Sequence, residues 1–234
     1  NYDPINRFYS GLWDGTFKMA WSDNPAWVMY ALLTHPRGAG LPESSVDRWG
    51  LYQISRYCDE FVDDGYGGKE PRFTANGVIN TREEAFDVIN ALASAFRGMA
   101  YWSAGAVNCI ADMPTDPSVI VTPSNTIGGF SYSGVANKAR NTACAVAYID
   151  KTNNYDRSIE VYEDIDAIEK YGYRMTQKTG FATTSRGQAM RQAKWTVDTD
   201  VNSGDSLTYK ASLDHLNVVP GAVVEVHDPA ILGF

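Results

Sequence analysis

The hydrophobic pattern of this 234-residue chain changes its period near the middle, and this change restricts the fold more than any other feature. In the first half, apolar residues recur every three or four positions, which is typical of amphipathic helices. In the second half, short apolar runs alternate with Gly, Pro, Asn and Asp, which is typical of strands. The segment ADMPTDPS (111–118) separates the halves. We therefore predict an α+β fold with one domain over 1–110 and another over 111–234.

Three helices are predicted in the helix-rich first half, each from a start signal. The first begins at Asn24, the second after ESS (43–45), and the third at Thr81, which forms a capping box with Glu84. Gly65 is expected to end the second helix. The expected core positions are Leu51, Ile54, Cys58 and Phe61 in the second helix, and Phe86, Ile89, Leu92 and Phe96 in the third.

The second half is predicted to be strand-rich, interrupted by a short helix around residues 165–171 and by a second helix over 184–195. The segment GGFSYSG (128–134) is interpreted as a turn followed by an aromatic edge strand, because it lacks the spacing of a nucleophile elbow. The predicted strands cover residues 99–110, 143–149, 173–180, 206–213 and 222–226.

The charge balance argues against a duplex-DNA-binding protein. The chain has 28 acidic and 20 basic residues, a net charge of -8 and a pI near 4.9, whereas DNA binding draws on a basic face.

The three cysteines are odd in number and have no C-x-x-C spacing, so we expect reduced thiols rather than disulfides or a zinc cluster. The longest apolar run, residues 24–33, is too short to span a bilayer, and we expect no signal peptide.

Residues that could carry catalysis or bind a metal are sparse. The histidines at positions 35, 215 and 227 are isolated, and a structural role is expected for each. Residues 198–205 place Asp and Asn at the first, third and fifth positions of a calcium loop, but Ser203 and Tyr209 occupy positions that require Gly and Glu. A hairpin loop explains this stretch, and a solvated acidic loop explains residues 59–68. We predict no enzyme activity, no metal and no cofactor.

The helix TSRGQAMRQAKW (184–195) presents a basic stripe in this acidic chain. Ser185 and Gln188 form a predicted capping box at its start. Arg191 and Lys194 lie on one flank about 60° apart, so a carboxylate from elsewhere is expected to relieve their repulsion. Three cations on one short helix are a small footprint for nucleic acid. We predict that Arg186, Arg191 and Lys194 lie at a domain or subunit interface.

Six ordered segments carry a resemblance to a known family. They are GLWDGTFKMAWSDNPAWVMYALLT (11–34), VDRWGLYQISRYCDEFV (46–62), EPRFTANGVI (70–79), SAFRGMAYW (94–102), TSRGQAMRQAKW (184–195) and VVPGAVVEVHD (218–228). Together they resemble the central region of the tail tip attachment proteins, or host specificity proteins J, of lambda-like siphophages and their prophages. The resemblance covers nearly the whole chain, and its motifs specify a structural family rather than a reaction.

The resemblance implies a structural role at the tip of a virion tail. Such proteins form a trimeric hub with barrel-like domains, contact other tail-tip and tail-tube proteins, and let DNA pass without binding it specifically. The chain would be synthesised in the bacterial cytoplasm, and the host receptor would be contacted by regions outside it. Two alternatives stay open: a module of the tail that binds a glycan or receptor, favoured by a clustered exposed aromatic patch, and a wall or glycan hydrolase. The scattered tryptophans favour packing over glycan binding.

Overall fold

The computed structural model of the chain describes residues 2–79, 84–134, 140–202 and 205–229. Helices and strands are interleaved along these residues. The described α-helices are α1 (Pro25–Thr34), α2 (Arg48–Asp59), α3 (Ala85–Ser94), α4 (Ile165–Tyr171) and α5 (Arg186–Asn202). The described strands are β1 (Tyr2–Asp3), β2 (Phe8–Tyr9), β3 (Phe61–Asp63), β4 (Lys69–Pro71), β5 (Gly98–Ser103), β6 (Ala106–Ala111), β7 (Val119–Val121), β8 (Thr126–Gly134), β9 (Ala143–Asp150), β10 (Asp156–Glu163), β11 (Met175–Thr179), β12 (Asp205–Ala211) and β13 (Val224–Val226).

The strands form small separate sheets. In the first half, β1 pairs with β2, β3 with β4 and β5 with β6, all antiparallel. In the second half, β8 pairs with β12, β7 with β13, and β9 lies between β10 and β11. The predicted mixture of helices and strands is confirmed, and a helix was expected at the position of α5. The described strands form no closed barrel, and the strands β1 to β6 of the first half do not fit a layout with helices first and strands afterwards.

The core of the first half lies where α1 and α2 pack against each other and α3 packs on α1 and β5. Asn24 caps α1 by accepting a hydrogen bond from the Ala26 amide at 3.0 Å, as the sequence predicts. Asp47 caps α2 in the same way. The buried side chains of this core include Met29, Leu33, Leu51, Ile54, Phe73, Leu92 and Phe96.

A second core forms where α5 lies across the β10–β9–β11 sheet. Cys144, Val146 and Tyr148 alternate along β9 and point to the helix. They meet the buried side chains of Ala189, Ala193 and Val197 on α5. The small alanines allow the helix to approach the sheet closely, so α5 is fixed by burial rather than by its modest intrinsic helix propensity.

Helix α5 also corrects one sequence interpretation. Residues 198–202 belong to α5 and not to a hairpin loop. Asp and Asn residues favour turns, but here the burial of Thr196 and Val197 continues the helix through them. Lys194 and Asp198, four residues apart, pair on its surface at 3.3 Å.

Three other predicted boundaries differ in the structure. The second helix ends at Asp59 rather than Gly65, because the chain turns there into β3. The predicted start of the third helix at Thr81 lies outside the described residues; α3 begins at Ala85, and Phe86 is 60% exposed rather than part of the core. The strand predicted over 99–110 is the β5–β6 hairpin, which reverses at Ala104 and Gly105 with φ of 52° and 79°.

The cysteines are free and buried, as the sequence predicts for reduced thiols. Burial raises the pKa of the Cys109 thiol to about 12, and it also raises the pKa of Cys58 and Cys144. Within the described ranges, no helix is long and apolar enough to cross a membrane.

Candidate functional site on helix α5

Arg191 attaches α5 to the β3–β4 hairpin. Its Nη1 lies 2.8 Å from a carboxylate oxygen of Glu70, and both side chains are 18% exposed. Its Nη2 donates to the backbone carbonyl of Arg72 at 2.9 Å. A guanidinium that bonds to a carboxylate and a carbonyl at the same time fixes the orientation of the two elements relative to each other and also neutralises the carboxylate. Arg191 therefore joins the two halves of the chain.

Ser185, directly before α5, and Gln188, in its first turn, strengthen this junction. The Ser185 hydroxyl donates to the second carboxylate oxygen of Glu70. Gln188 is buried, and its amide accepts from the Thr74 amide and donates to the Thr74 carbonyl, each at 3.0 Å. Only half of the predicted capping box forms. The backbone N–H of Gln188 donates to Ser185 Oγ at 3.4 Å, but the side-chain amide of Gln188 bonds to Thr74 and not to the backbone of Ser185.

Gly187 makes the close approach of α5 to the hairpin possible. A Cβ atom at this position would lie 2.5 Å from a Glu70 carboxylate oxygen and 2.6 Å from the Asp64 carbonyl oxygen. Real Cβ atoms do not approach so closely. The absence of a side chain at Gly187 therefore allows the contacts that Ser185 and Arg191 make with Glu70.

Arg186 belongs to a separate cluster on the rim of the junction. Its Nε lies 2.8 Å from Glu160 of β10, and its guanidinium lies 3.9 Å from the centre of the Tyr66 ring. The Tyr66 hydroxyl donates to Glu160 at 2.9 Å. Burial and the bond to Glu160 raise the pKa of Tyr66. This cluster connects the tip of the β3–β4 hairpin to β10.

Lys194 does not share the partner of Arg191. Its Nζ lies 3.3 Å from Asp198 and donates to the Tyr162 hydroxyl at 3.2 Å, and its side chain is 54% exposed. Each of the three predicted interface cations therefore has its own carboxylate within the chain. A solvent-exposed pair of this kind contributes about 0–1 kcal/mol, so Lys194 is the least constrained of the three.

The sequence interpretation missed Arg97, which lies beneath the same helix. Its Nη2 donates to the Arg191 carbonyl at 2.8 Å, and its guanidinium lies over the rings of Phe73 and Trp195. Burial lowers the pKa of Arg97 to about 10. The Trp195 indole donates to Asp112 at 2.6 Å. Local sequence patterns contain no signal for the two hydrogen bonds, because Arg97 lies 94 residues from Arg191 and Trp195 lies 83 residues from Asp112.

The aromatic residues cluster more than the sequence suggests. Trp13, Phe17, Trp27, Tyr30 and Tyr52 surround a cleft of about 600 Å³ near the chain start. These rings, however, pack on one another: Trp13 stacks on Tyr52 at 4.9 Å between centroids, and Phe17 stacks on Tyr30 at 4.2 Å. The Trp27 ring meets Trp13 and Phe17 edge-to-face. This geometry favours packing over a sugar-stacking platform.

The acidic and histidine candidates lie apart from one another. In the 59–68 segment, Asp64 accepts from the amides of Tyr66 and Gly68, and these bonds lower its pKa. His227 contacts Glu225 at 2.7 Å, and His215 packs on the Tyr209 ring. Across the part of the chain that the structure describes, no three His, Cys, Asp or Glu side chains form a group that could hold a metal ion.

Comparison with known proteins gives the class. Residues 84–233 match the family described as putative phage tail protein. The chain belongs to this family of phage tail proteins.

Individual relatives identify the kind of tail protein. The chain is 39% identical over 233 residues to tip attachment protein J of Escherichia phage SECphi27, covering 97% of this chain and 19% of the relative. It is 35% identical over 238 residues to tip attachment protein J of Escherichia phage SECphi4, covering 100% of this chain and 21% of the relative. The chain thus spans about a fifth of these relatives. The resemblance found in the six sequence segments is confirmed.

Two solved structures of tail proteins are more distantly similar. The 43 kDa tail protein of prophage MuSo2 from Shewanella oneidensis has a TM-score of 0.40 and 13% identity, over 65% of this chain and 45% of that one. Prophage tail protein gp18 from Listeria monocytogenes EGD-e has a TM-score of 0.38 and 13% identity, over 73% of this chain and 50% of that one.

Proposed function

We propose that this chain is a structural part of the hub at the tip of a siphophage tail. The hub closes the tail tube and links it to the receptor-binding tip, so that the virion attaches to its host and delivers DNA. The observation that carries the proposal is the 35–39% identity to tip attachment proteins J over 97–100% of the chain. In this proposal the chain acts without catalysis.

The proposed partners follow from this role. The full-length protein is a homotrimer that contacts other tail-tip and tail-tube proteins, and regions outside this chain contact the host receptor. DNA passes through the hub without specific binding. The chain is made in the bacterial cytoplasm and ends in the virion tail tip.

The α5 cations have a place in this proposal as a contact between its two domains, 1–110 and 111–234. Arg191 lies in the second proposed domain and its partner Glu70 in the first. The contact of Arg186 with the Tyr66 ring crosses the same boundary. Of the two predicted possibilities, a domain interface or a subunit interface, both contacts support the domain interface. Lys194 is exposed, and in this proposal it contacts a neighbouring protein.

Immunogold electron microscopy of phage particles that carry this gene tests the proposal. An antibody raised against the chain is expected to place gold at the distal end of the tails. Antibody absorbed beforehand with the purified chain is the matched control and should leave the tails unlabelled. Unlabelled particles, with the intact antigen free in the soluble fraction, would contradict a place in the tail tip and return attention to glycan binding.

A further inference from the structure

Residues 17–21 run without helix, turn or strand, and their backbone lacks partners. Within the described residues, none of their N–H or C=O groups makes a hydrogen bond. Met19 is fully exposed and Trp21 is 73% exposed, while Phe17 is held in place by stacking on Tyr30. A segment with unpaired backbone groups and exposed apolar side chains is suited to pair with the edge of a sheet.

The β10 edge of the three-stranded sheet is open. The Asp164 amide donates to the Thr142 carbonyl, so the even-numbered residues of β10 bond to β9. Because backbone groups alternate in direction along a strand, the odd-numbered residues direct their N–H and C=O groups outwards. No described strand pairs with these groups. The outward residues are Arg157, Ile159, Val161 and Glu163.

The side chains of the outward residues give this edge an apolar centre and a free cation. They lie on the sheet face opposite α5, because they alternate with Glu160 on the helix side. Ile159 is 63% exposed and Val161 is also exposed. Arg157 makes no ion pair with any residue in the described ranges. An open edge with apolar side chains is a site for adding a strand.

We propose that residues 17–21 of one copy add as a strand to the β10 edge of the next copy in the trimer. The proposal rests on the homotrimer of the proposed function and names a contact within it. The added segment and the accepting edge are different surfaces, so each copy provides one and receives the other. Such a head-to-tail contact closes a ring around a three-fold axis and leaves no free edge of this kind to join one trimer to another.

The added strand is antiparallel, with Met19 opposite Ile159 and Trp21 opposite Arg157. In this register the backbone groups of residues 17, 19 and 21 meet the outward groups of residues 161, 159 and 157. The Arg157 guanidinium can then lie against the Trp21 ring, a favourable cation–π contact. On the other face Lys18 lies opposite Glu160, which adds an attraction between opposite charges.

This chemistry distinguishes the register and the edge from their alternatives. A shift by two residues in either direction preserves the backbone bonding, but it separates Trp21 from Arg157 and Lys18 from Glu160. The other open edge of the sheet is β11, whose even-numbered residues bond to β9. It offers no cation to Trp21, because its outward residues are Met175, Gln177 and Thr179.

Paired cysteines test the contact in the purified chain. Met19→Cys mixed with Ile159→Cys should form a covalent dimer under mild oxidation, since opposite residues lie about 5.5 Å apart between Cα atoms. Either variant alone should not cross-link, and the native cysteines are buried. A chain that carries both changes should give covalent trimers on denaturing gels and nothing larger. Leu213→Cys, at a residue that is 80% exposed, is the matched control and should not cross-link to Met19→Cys.

Sedimentation velocity tests the strength of the contact. Met19→Asp should weaken self-association at least about tenfold, because a carboxylate then lies against Ile159. Leu213→Asp, the same kind of change at another exposed apolar residue, should leave self-association unchanged. Circular dichroism checks that both variants are folded. Equal association of the two variants would contradict the contact.

The cross-linking pattern separates this contact from other arrangements. No covalent dimer from the mixed variants overturns the proposal, and so does cross-linking of either variant with itself or a ladder that grows beyond three copies. Cross-linking of Met19→Cys to Met175→Cys in place of Ile159→Cys would overturn the choice of β10. Gold at the tail tips without the expected cross-link would remove this contact and leave the structural role standing. Cross-linked trimers together with unlabelled tails would do the reverse.

Discussion

At the scale of single residues, Gly187 decides how closely α5 approaches the hairpin. We expect Gly187→Ala to lower the free energy of unfolding by about 1–2 kcal/mol, although alanine favours helix by about 1 kcal/mol. The added Cβ would clash with the Glu70 carboxylate and the Asp64 carbonyl oxygen. The Glu70 side chain can rotate away, but the Asp64 carbonyl belongs to the hairpin backbone and can move only with the hairpin. Urea unfolding measures the change.

Gly77→Ala is the control for this experiment. A Cβ at Gly77 meets Ala182 at 3.4 Å, which is ordinary contact, and the backbone there is not in the left-handed region. Its effect should be small. Equal stability of the two variants would show that the hairpin moves freely away from α5, contrary to the junction described above.

At the scale of elements, α5 connects the halves through Arg191 while its other cations lie nearer the surface. We expect Arg191→Ala to cost about 2–4 kcal/mol, because it leaves the partly buried Glu70 carboxylate without its cation. Lys194→Ala, on the same helix, should cost less than about 0.5 kcal/mol, since its pair is exposed. Thermal unfolding of both variants makes the comparison. Similar losses for both would mean that the contact of Arg191 with Glu70 contributes no more than an exposed ion pair, contrary to the junction described above.

Sequence patterns predicted elements whose signals are local. Helix α1 was predictable because Asn24 caps it and proline follows, and β9 because its apolar run is continuous. The β5–β6 hairpin was missed because its two-residue turn, Ala104–Gly105, lies inside an apolar stretch. Strand β10 was missed because its charged residues obscure the alternation of Ile159 and Val161.

In the candidate site, the cations could be predicted from the sequence but their partners could not, because only the cations have a local signal. The basic residues of α5 stand out locally, so Arg186, Arg191 and Lys194 could be selected from the sequence. Their carboxylate partners could not, because Glu70 lies 121 residues from Arg191. Only packing of α5 between the sheet and the hairpin brings these side chains together. Lys194 and Asp198 are the exception, since helical spacing alone places them side by side.

At the scale of the whole molecule, the pairing of the α5 cations bears on the proposal that DNA passes through the hub without specific binding. The chain carries a net charge of -8, and each cation of the basic stripe is held by a carboxylate. Affinity for DNA comes largely from releasing counterions as free cations meet phosphates. With these three cations already paired and the net charge of the chain negative, this surface is expected to repel DNA. An acidic face towards the lumen would then let DNA slide through the proposed hub.

We therefore expect the purified chain to show no binding to fluorescently labelled duplex DNA, even at low salt, in an anisotropy titration. Low salt is the demanding condition, because electrostatic binding is strongest there. A basic protein of similar size, titrated in the same buffer, shows that the assay detects such binding. Binding by this chain that weakens steeply as salt is added would mean that α5 releases its cations to phosphates. The cations would then be a nucleic-acid surface rather than the internal contact that their carboxylate partners indicate.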